Sequence, residues 1–154
     1  MMISSKGRYA IRTMVELALK NNGSFIPLHE IASKQDISKK YLESIVKILI
    51  QKDLIEGLSG KGGGYRLKRT ADKYTVSEIL ECAEGKLISV SCVCKESLCD
   101  KRGDCLSFPI WIGLQTLINN YLNNFTLQDI LEKNLLIEKV SNTIQGEYKC
   151  KINY

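Results

Sequence analysis

The sequence predicts a mainly α-helical protein with one small β-hairpin and a long helix near the C-terminus. Apolar residues recur at helical spacing in three successive stretches of the first half. A glycine-rich turn then separates two short alternating stretches, and a wide apolar stripe runs through "FPIWIGLQTLINNYLNN". With 154 residues, 44% hydrophobic and 25% charged, the chain has the composition of an ordinary globular protein.

Two helices are predicted first. In "GRYAIRTMVELALKNNG" the apolar positions at helical spacing are Ile11, Met14, Val15, Ala18 and Leu19, and Gly23 follows as a stop signal. "IPLHEIASKQDI" predicts a short helix that starts near Pro27, with Leu28, Ile31 and Ala32 on its inner face.

The third helix is amphipathic. Ser38 is a candidate N-cap for "ISKKYLESIVKILIQKDLI". Its apolar stripe consists of Leu42, Ile45, Val46 and Leu49, and its outer face carries Lys39, Lys40, Glu43, Ser44 and Lys47. This pattern predicts a helix that packs on one side and presents a mostly cationic surface on the other.

A hairpin follows, with strand candidates "LIEGL" and "YRLKR" joined by "SGKGGG". Three helices and a basic hairpin occur in the order of a winged helix-turn-helix domain, with DNA as the expected partner. The glycines do not match the P-loop pattern, because Ile55 stands where its first glycine belongs. They do not match the dinucleotide-binding pattern either, because a strand rather than a helix follows. In the wing, cations and backbone amides of Lys61, Gly62, Gly63 and Arg66 are candidate DNA contacts.

The second half begins with a predicted helix in "TVSEILECAEG", where Thr75 and Glu78 fit a capping box and Gly85 fits the stop. The long helix has Pro109 in its first turn, and its wide apolar stripe predicts burial against a second copy of the chain. A short capped helix starts at Thr126, and residues 135–154 show no clear pattern.

The predicted organisation is a DNA-binding domain over 1–72, a connecting helix over 73–90, a cysteine segment over 91–107, a dimerisation region over 108–134 and a tail over 135–154.

Charge is distributed unevenly along the chain. Residues 1–70 carry 13 Lys and Arg against 6 Asp and Glu, a net of +7, whereas residues 71–154 carry 9 against 11, a net of −2. This asymmetry is typical of a first half that meets a polyanion. The N-terminus has no secretory signal pattern and no apolar run is long enough to span a bilayer, so we expect a cytoplasmic protein with no membrane partner.

The segment "SCVCKESLCDKRGDC" holds four of the six cysteines: Cys92, Cys94, Cys99 and Cys105. In a reducing compartment such a cluster favours an iron–sulphur cluster or another metal, zinc included, while a thiol redox switch and no special role remain alternatives. Cys82 is expected to be a small core residue and Cys150 incidental. No catalytic set is visible, and the lone His29 is expected at the surface, so the sequence does not indicate an enzyme.

Four segments resemble the IscR/NsrR/CymR family of bacterial winged-helix regulators (the Rrf-type regulators), over about residues 1 to 133. They are "SKGRYAIRTMVELAL", "ISKKYLESIVKIL", "GLSGKGGGYRLKR" and "CLSFPIWIGLQTLINNYLNNFTLQDIL". The resemblance implies a homodimer on a pseudo-palindromic operator. It also implies that six residues of the third helix face DNA: Ser38, Lys39, Lys40, Tyr41, Glu43 and Ser44.

The iron–sulphur members of this family imply a 2Fe–2S or 4Fe–4S cluster held by Cys94, Cys99 and Cys105. The fourth ligand departs from the family pattern. Phe108 stands where the best-known members have a ligating histidine, and Arg8 and Arg12 occupy the positions from which other members take a ligand. Cys92 is therefore the candidate fourth ligand, with Asp104 or a solvent or small molecule as alternatives.

The function implied is transcriptional regulation that senses iron–sulphur status, redox state or nitric oxide. The alternative is a cluster-free regulator of cysteine or sulphur metabolism, controlled by a partner enzyme or by thiol oxidation.

Overall fold

The computed structural model describes residues 3–20, 23–93, 99–100 and 102–144. These residues form helices and one antiparallel two-stranded sheet, which confirms the predicted fold class. The elements follow in the order α1 (Ser5–Leu19), α2 (Leu28–Gln35), α3 (Lys39–Gln51), β1 (Ile55–Leu58), β2 (Gly64–Leu67), α4 (Val76–Glu84), α5 (Phe108–Asn124), α6 (Leu127–Leu131) and α7 (Lys133–Thr143).

The predicted helix starts are confirmed in part. The Ser38 hydroxyl accepts from the Tyr41 amide at 3.2 Å and caps α3, as expected. The Thr75 hydroxyl likewise accepts from the Glu78 amide at 3.1 Å. The predicted capping box at Thr75 is wrong in its second half, however, because the Glu78 carboxylate pairs with Arg69 at 2.7 Å.

The buried face of α1 includes residues that its apolar pattern did not contain. The buried residues of α1 are Gly7, Ala10, Thr13, Met14, Leu17 and Ala18. Leu19, one of the apolar positions at helical spacing, is 61% exposed. Thr13 can occupy the buried stripe because its hydroxyl donates to the Tyr9 carbonyl at 2.7 Å, which satisfies the polar group within the helix.

The core joins the first and second halves of the chain. Tyr74, Ile79 and Leu127 belong to the same buried cluster as the inner faces of α1, α2 and α3. The Val76 amide donates to the Phe125 carbonyl, and the Leu127 amide to the Tyr74 carbonyl, each at 2.8 Å. The segment between α5 and α6 is therefore fixed to the start of α4 by backbone hydrogen bonds.

Tyr74 also fixes the hairpin. It is fully buried, and its hydroxyl donates to the Leu54 carbonyl at 2.7 Å before β1. The same oxygen accepts from the amides of Lys68 and Arg69, at 3.0 and 2.8 Å, after β2. One side chain thus holds both ends of the hairpin against the helices.

The C-terminal region contains more structure than the sequence indicated. Helix α7 extends to Thr143, and Lys139 connects it to α6 through an ion pair with Asp129 at 2.8 Å. The rest of the predicted tail from 145 on, including Cys150, lies outside the described residues. In the described ranges, no helix combines the length and apolarity needed to cross a membrane.

Candidate nucleic-acid interface and cysteine segment

Helix α3 has a buried apolar stripe and an exposed polar face. Leu42, Ile45, Val46 and Leu49 are at most 1% exposed and lie in the core. The predicted DNA-facing residues Ser38, Lys39, Lys40, Glu43, Ser44 and Lys47 are all exposed. The structure therefore brings the predicted residues of this helix together on one solvent-facing surface with excess positive charge.

Tyr41 is the half-buried member of this predicted set. Its ring meets Tyr9 of α1 edge-on, with ring centroids 5.9 Å apart. The Arg12 guanidinium lies 5.3 Å from the centroid of Tyr9. Aromatic packing thus fixes the start of α3 against α1, an interaction between elements that the sequence analysis did not predict.

The hairpin, which we call the wing (residues 55–67), has a tip shaped by glycines. Gly60 and Gly62 have φ of +97° and +79°, in the region that favours glycine. The Gly63 amide donates to the Gly60 carbonyl at 3.0 Å, and a Cβ at Gly63 would overlap the Leu58 carbonyl. Lys61 lies exposed at this tip, so its ammonium group is accessible to a ligand.

Arg66 lies away from the tip, at the base of the wing. Its Nε donates to Glu56 at 2.6 Å and its Nη1 to the Gly23 carbonyl at 2.9 Å. The guanidinium carbon lies 4.4 Å from the centroid of the Phe25 ring. The predicted wing contacts are therefore divided between an exposed tip and an engaged side chain at the base.

Three of the four clustered cysteines lie within the described residues. Cys92 is half-buried in a short 3-10 turn, Cys99 is exposed, and Cys105 is half-buried shortly before α5. Cys94 falls outside the described residues. Among the residues that the structure describes, no three His, Cys, Asp or Glu side chains are grouped closely enough to hold a metal ion.

The Cys105 thiol has the chemistry of a ligand. Its Sγ lies 3.3 Å from the Ser107 hydroxyl, and hydrogen bonds from Ser107 and from the Phe108 amide lower the pKa of Cys105. The thiolate is the form that binds metal. In contrast, burial raises the pKa of Cys82 on α4, in agreement with its expected structural role.

The positions of the missing family ligands are filled by residues with other contacts. The Arg102 guanidinium lies 4.8 Å from the centroid of the Phe108 ring, at the start of α5. Arg8 donates to the Ser5 hydroxyl at 3.1 Å on α1. Together with Arg12 on Tyr9, these side chains offer no lone pair to iron.

Helix α5 carries an exposed apolar face. Within the described chain none of its residues is buried, and Ile110 and Leu117 are 66% and 68% exposed. Leu114 and Tyr121, also exposed, share this face at helical spacing. An apolar groove of about 940 Å³ continues the face toward Ile3 at the start of α1.

Two polar side chains that the sequence analysis did not single out hold distant parts of the chain: Gln115 holds the segment before the cysteines, and Glu84 holds the start of α1. Gln115 of α5 accepts from the Ser89 amide and donates to the Leu87 carbonyl, each at 2.7 Å. One Glu84 oxygen accepts from the Ser4 amide, the Ser4 hydroxyl and the Gly7 amide at 3.0, 2.7 and 2.8 Å. Neither contact had a sequence signal, because the partners lie 26 or more residues apart.

Three helices, a buried core beneath the third and a glycine-rich hairpin define a winged helix-turn-helix protein. The Rrf2 family, described as iron-dependent transcriptional regulators, matches residues 3–133. The chain therefore belongs to the Rrf2 family, and it is a DNA-binding transcriptional regulator rather than an enzyme.

Individual relatives agree with this assignment. IscR of Sodalis glossinidius is 33% identical over 140 residues, which cover 91% of this chain and 84% of that protein. The structure of CymR, the global cysteine regulator of B. subtilis, has a TM-score of 0.71 and 31% identity, covering 86% of this chain and 98% of that one. T. potens IscR has a TM-score of 0.69 and 26% identity, covering 87% and 88%.

Proposed function

We propose that this protein is a homodimeric regulator whose DNA binding is controlled by an iron–sulphur cluster in the cysteine segment. The observation that carries the DNA-reading part is the division of α3 into a fully buried apolar face and an exposed polar face. Such a helix can present its polar face to a major groove while its apolar stripe stays in the core. Cytoplasmic location follows from this function.

The proposed DNA surface combines two chemistries. Lys39, Lys40 and Lys47 supply charge for the phosphates, while Ser38, Tyr41 and Ser44 supply hydrogen-bonding groups. Glu43 is the one carboxylate among the exposed residues proposed for DNA contact, and beside phosphates it is favourable only where it accepts from a base such as cytosine. The wing adds Lys61 and the amides of Gly62 and Gly63 at a tip narrow enough for the backbone or minor groove.

The proposed dimer interface is the exposed face of α5. Ile110, Leu114, Leu117 and Tyr121 are exposed along one side of the helix, so they form a continuous apolar stripe rather than isolated apolar residues. A second copy covers the same stripe with its own, as two-fold symmetry requires. Two recognition helices would then be held at a fixed separation, which suits a pseudo-palindromic operator.

The proposed cluster ligands are Cys94, Cys99 and Cys105, with Cys92 as the fourth. The lowered pKa of Cys105 and the all-thiol donor set suit iron–sulphur chemistry. A bound cluster would supply an iron centre that responds to electron transfer or to nitric oxide. The contribution of the chain is to hold the segment, through Gln115 on its N-terminal side and the start of α5 on its C-terminal side.

The test combines iron and sulphide analysis of anaerobically purified protein with DNA binding. The DNA is a duplex isolated by in vitro selection with the wild-type protein, which we call the selected duplex. We expect visible absorbance, iron and sulphide, and a change in affinity for the selected duplex after the cluster is removed. Replacing Cys94, Cys99 and Cys105 together by alanine should abolish all three signals.

Cys82→Ala is the matched control, because this thiol lies on α4 and contacts the Ile48 carbonyl at 3.7 Å. It should retain iron and sulphide. A colourless, iron-free wild-type protein that binds DNA as the triple variant does would contradict the cluster proposal, while leaving DNA binding itself intact.

The similarity to CymR supports a second candidate, a cluster-free regulator of cysteine or sulphur metabolism controlled by a partner enzyme or thiol oxidation. Under this alternative the protein would contain neither iron nor sulphide, and under control by a partner enzyme it would co-purify with an enzyme of sulphur metabolism. The same elemental analysis separates the two candidates. Zinc in place of iron would contradict both sensing schemes.

A further inference from the structure

Arg66 joins three parts of the DNA-binding half. It lies on β2 directly opposite Glu56 of β1. The ion pair with Glu56 crosses the wing, while the hydrogen bond to Gly23 and the stacking on Phe25 reach the segment before α2. The guanidinium therefore connects the wing to the helical body through three separate contacts.

The segment before α2 also pairs with the wing through its backbone. The Ile26 amide donates to the Tyr65 carbonyl, and the Tyr65 amide to the Ile26 carbonyl, each at 2.9 Å. A Cβ at Gly64 would overlap the Ile26 carbonyl, so this close approach requires glycine. Arg66 thus reinforces a junction that determines the direction in which the wing leaves the body.

The chemistry of these contacts is specific to arginine. A planar guanidinium can stack on a ring while it donates to two acceptors in its plane, whereas an ammonium cannot do both. To bind a phosphate, Arg66 would have to give up contacts with Glu56 or Gly23. Lys61 is exposed at the tip and is therefore the cation of the wing that is available to DNA.

We propose that Arg66 is a positioning residue that directs the wing so that Lys61 reaches the DNA backbone, and that Arg66 does not contact phosphate itself. This inference rests on the proposed DNA surface. A positioning role and a direct phosphate contact predict different changes in the salt dependence of DNA binding. Each protein cation placed on a phosphate contributes about 0.9 to the slope of log K against log salt concentration.

The experiment measures binding of the full-length protein to the selected duplex across a salt series. Lys61→Gln should lower the slope by about one phosphate contact per subunit, which is about two contacts for the proposed dimer. Arg66→Lys keeps the charge but loses the planar fork, so it should lower affinity and reduce the slope by the same amount. The double variant should show no further loss of slope, because the misdirected wing no longer delivers Lys61.

Other outcomes overturn the proposal. If Arg66 contacted phosphate directly, Arg66→Lys would retain the wild-type slope, and combining Arg66→Gln with Lys61→Gln would remove about two phosphate contacts per subunit. If Arg66 served stability alone, its variants would lower the melting temperature without changing the slope. Failure of the wild type to bind any duplex would overturn the DNA surface itself, and the Arg66 proposal with it.

Arg69→Lys provides the matched control. Arg69 makes the same combination of an ion pair and a ring contact, with Glu78 at 2.7 Å and Tyr74 at 4.2 Å, but toward α4. Its variant should lose comparable stability and keep the wild-type slope.

A second test, Phe25→Leu, removes the stacking surface without changing charge and should reproduce the reduced slope of Arg66→Lys.

Discussion

Helices α3 and α5 use their apolar residues in opposite ways. The 13 residues of α3 place a complete apolar stripe in the core, whereas none of the 17 described residues of α5 is buried. The single chain therefore buries the apolar stripe of α3 and leaves its polar face exposed. Around α5 the described residues leave an apolar face exposed, which is the face proposed above as the dimer interface.

This difference predicts two kinds of mutational effect. Changes beneath α3 should alter the stability of each chain at any protein concentration. Changes on α5 should alter association, and through it the affinity for a two-fold-symmetric operator.

The largest expected effect is in the core beneath α3. Leu42→Ala should cost about 2–5 kcal/mol of unfolding free energy, because it removes a fully buried side chain and leaves a cavity. Urea unfolding followed by circular dichroism measures this. Ile50→Ala on the same helix is the control, since Ile50 is 41% exposed and its loss should cost much less. Equal losses for the two variants would contradict the burial described for α3.

A charge on the α5 face should act on association instead. Leu117→Glu is expected to yield monomers and to weaken binding to the selected duplex about a hundredfold, equivalent to about 2.7 kcal/mol, through loss of two-site binding. Sedimentation and DNA titration measure the two effects. Leu19→Glu, an equally exposed leucine on α1, should leave both unchanged. If Leu117→Glu stayed dimeric and bound the selected duplex with wild-type affinity, the proposed α5 interface would be wrong.

Tyr74 tests the attachment of the wing to the helices. Tyr74→Phe leaves the Leu54 carbonyl and the amides of Lys68 and Arg69 without their shared partner, so it should cost about 1–3 kcal/mol. Thermal unfolding measures the loss, and self-association should not change. Tyr65→Phe, in a half-buried tyrosine of the wing, is the matched control and should have a smaller effect. The reverse order would contradict the role assigned to Tyr74.

The smallest effect concerns Glu84, which caps α1 from the end of α4. The Ser4 hydroxyl, chiefly, with the Gly7 and Ser4 amides, lowers the pKa of Glu84 below its ordinary value of 4.5. A depressed pKa means that this stabilisation is complete above pH 4.5 and is lost as the pH falls through the folded-state value. Glu84→Gln should therefore cost about 1 kcal/mol near neutrality and progressively less in acid.

Thermal unfolding over a pH series measures this dependence. Glu81→Gln, at an exposed position on the same helix, is the control and should show no comparable convergence with the wild type in acid. A constant difference between Glu84→Gln and the wild type at every pH would show that the carboxylate charge is not the cause.

Local patterns in the sequence predicted much of the fold, because α3 combines an unbroken apolar stripe with a cap at Ser38. The same reasoning was less informative for α1, where the apolar pattern includes the exposed Leu19 and omits Thr13, which lies in the buried stripe. A threonine satisfied within its own helix has no signature that separates it from an exposed one. Periodicity therefore succeeds where every buried residue is apolar.

The residue types of the candidate DNA interface could be predicted from the sequence, but the contacts that position them could not. The exposed residues of α3 follow from its pattern, but the position of Arg66 depends on Phe25 and Gly23, which reach the wing only in the folded chain. Gln115 and Glu84 hold distant backbone groups for the same reason. Contacts between residues far apart in sequence depend on tertiary packing, which composition and spacing do not report.

The backbone pairing of the α5–α6 connection with the start of α4 bears on how the protein is made. Leu127 is fully buried in the core that also contains α1, α2 and α3. A chain emerging from the ribosome therefore lacks part of that core until this residue has been synthesised. The DNA-binding half would therefore reach its final stability only after α5 has left the ribosome, so its affinity for DNA would depend on synthesis of the C-terminal half.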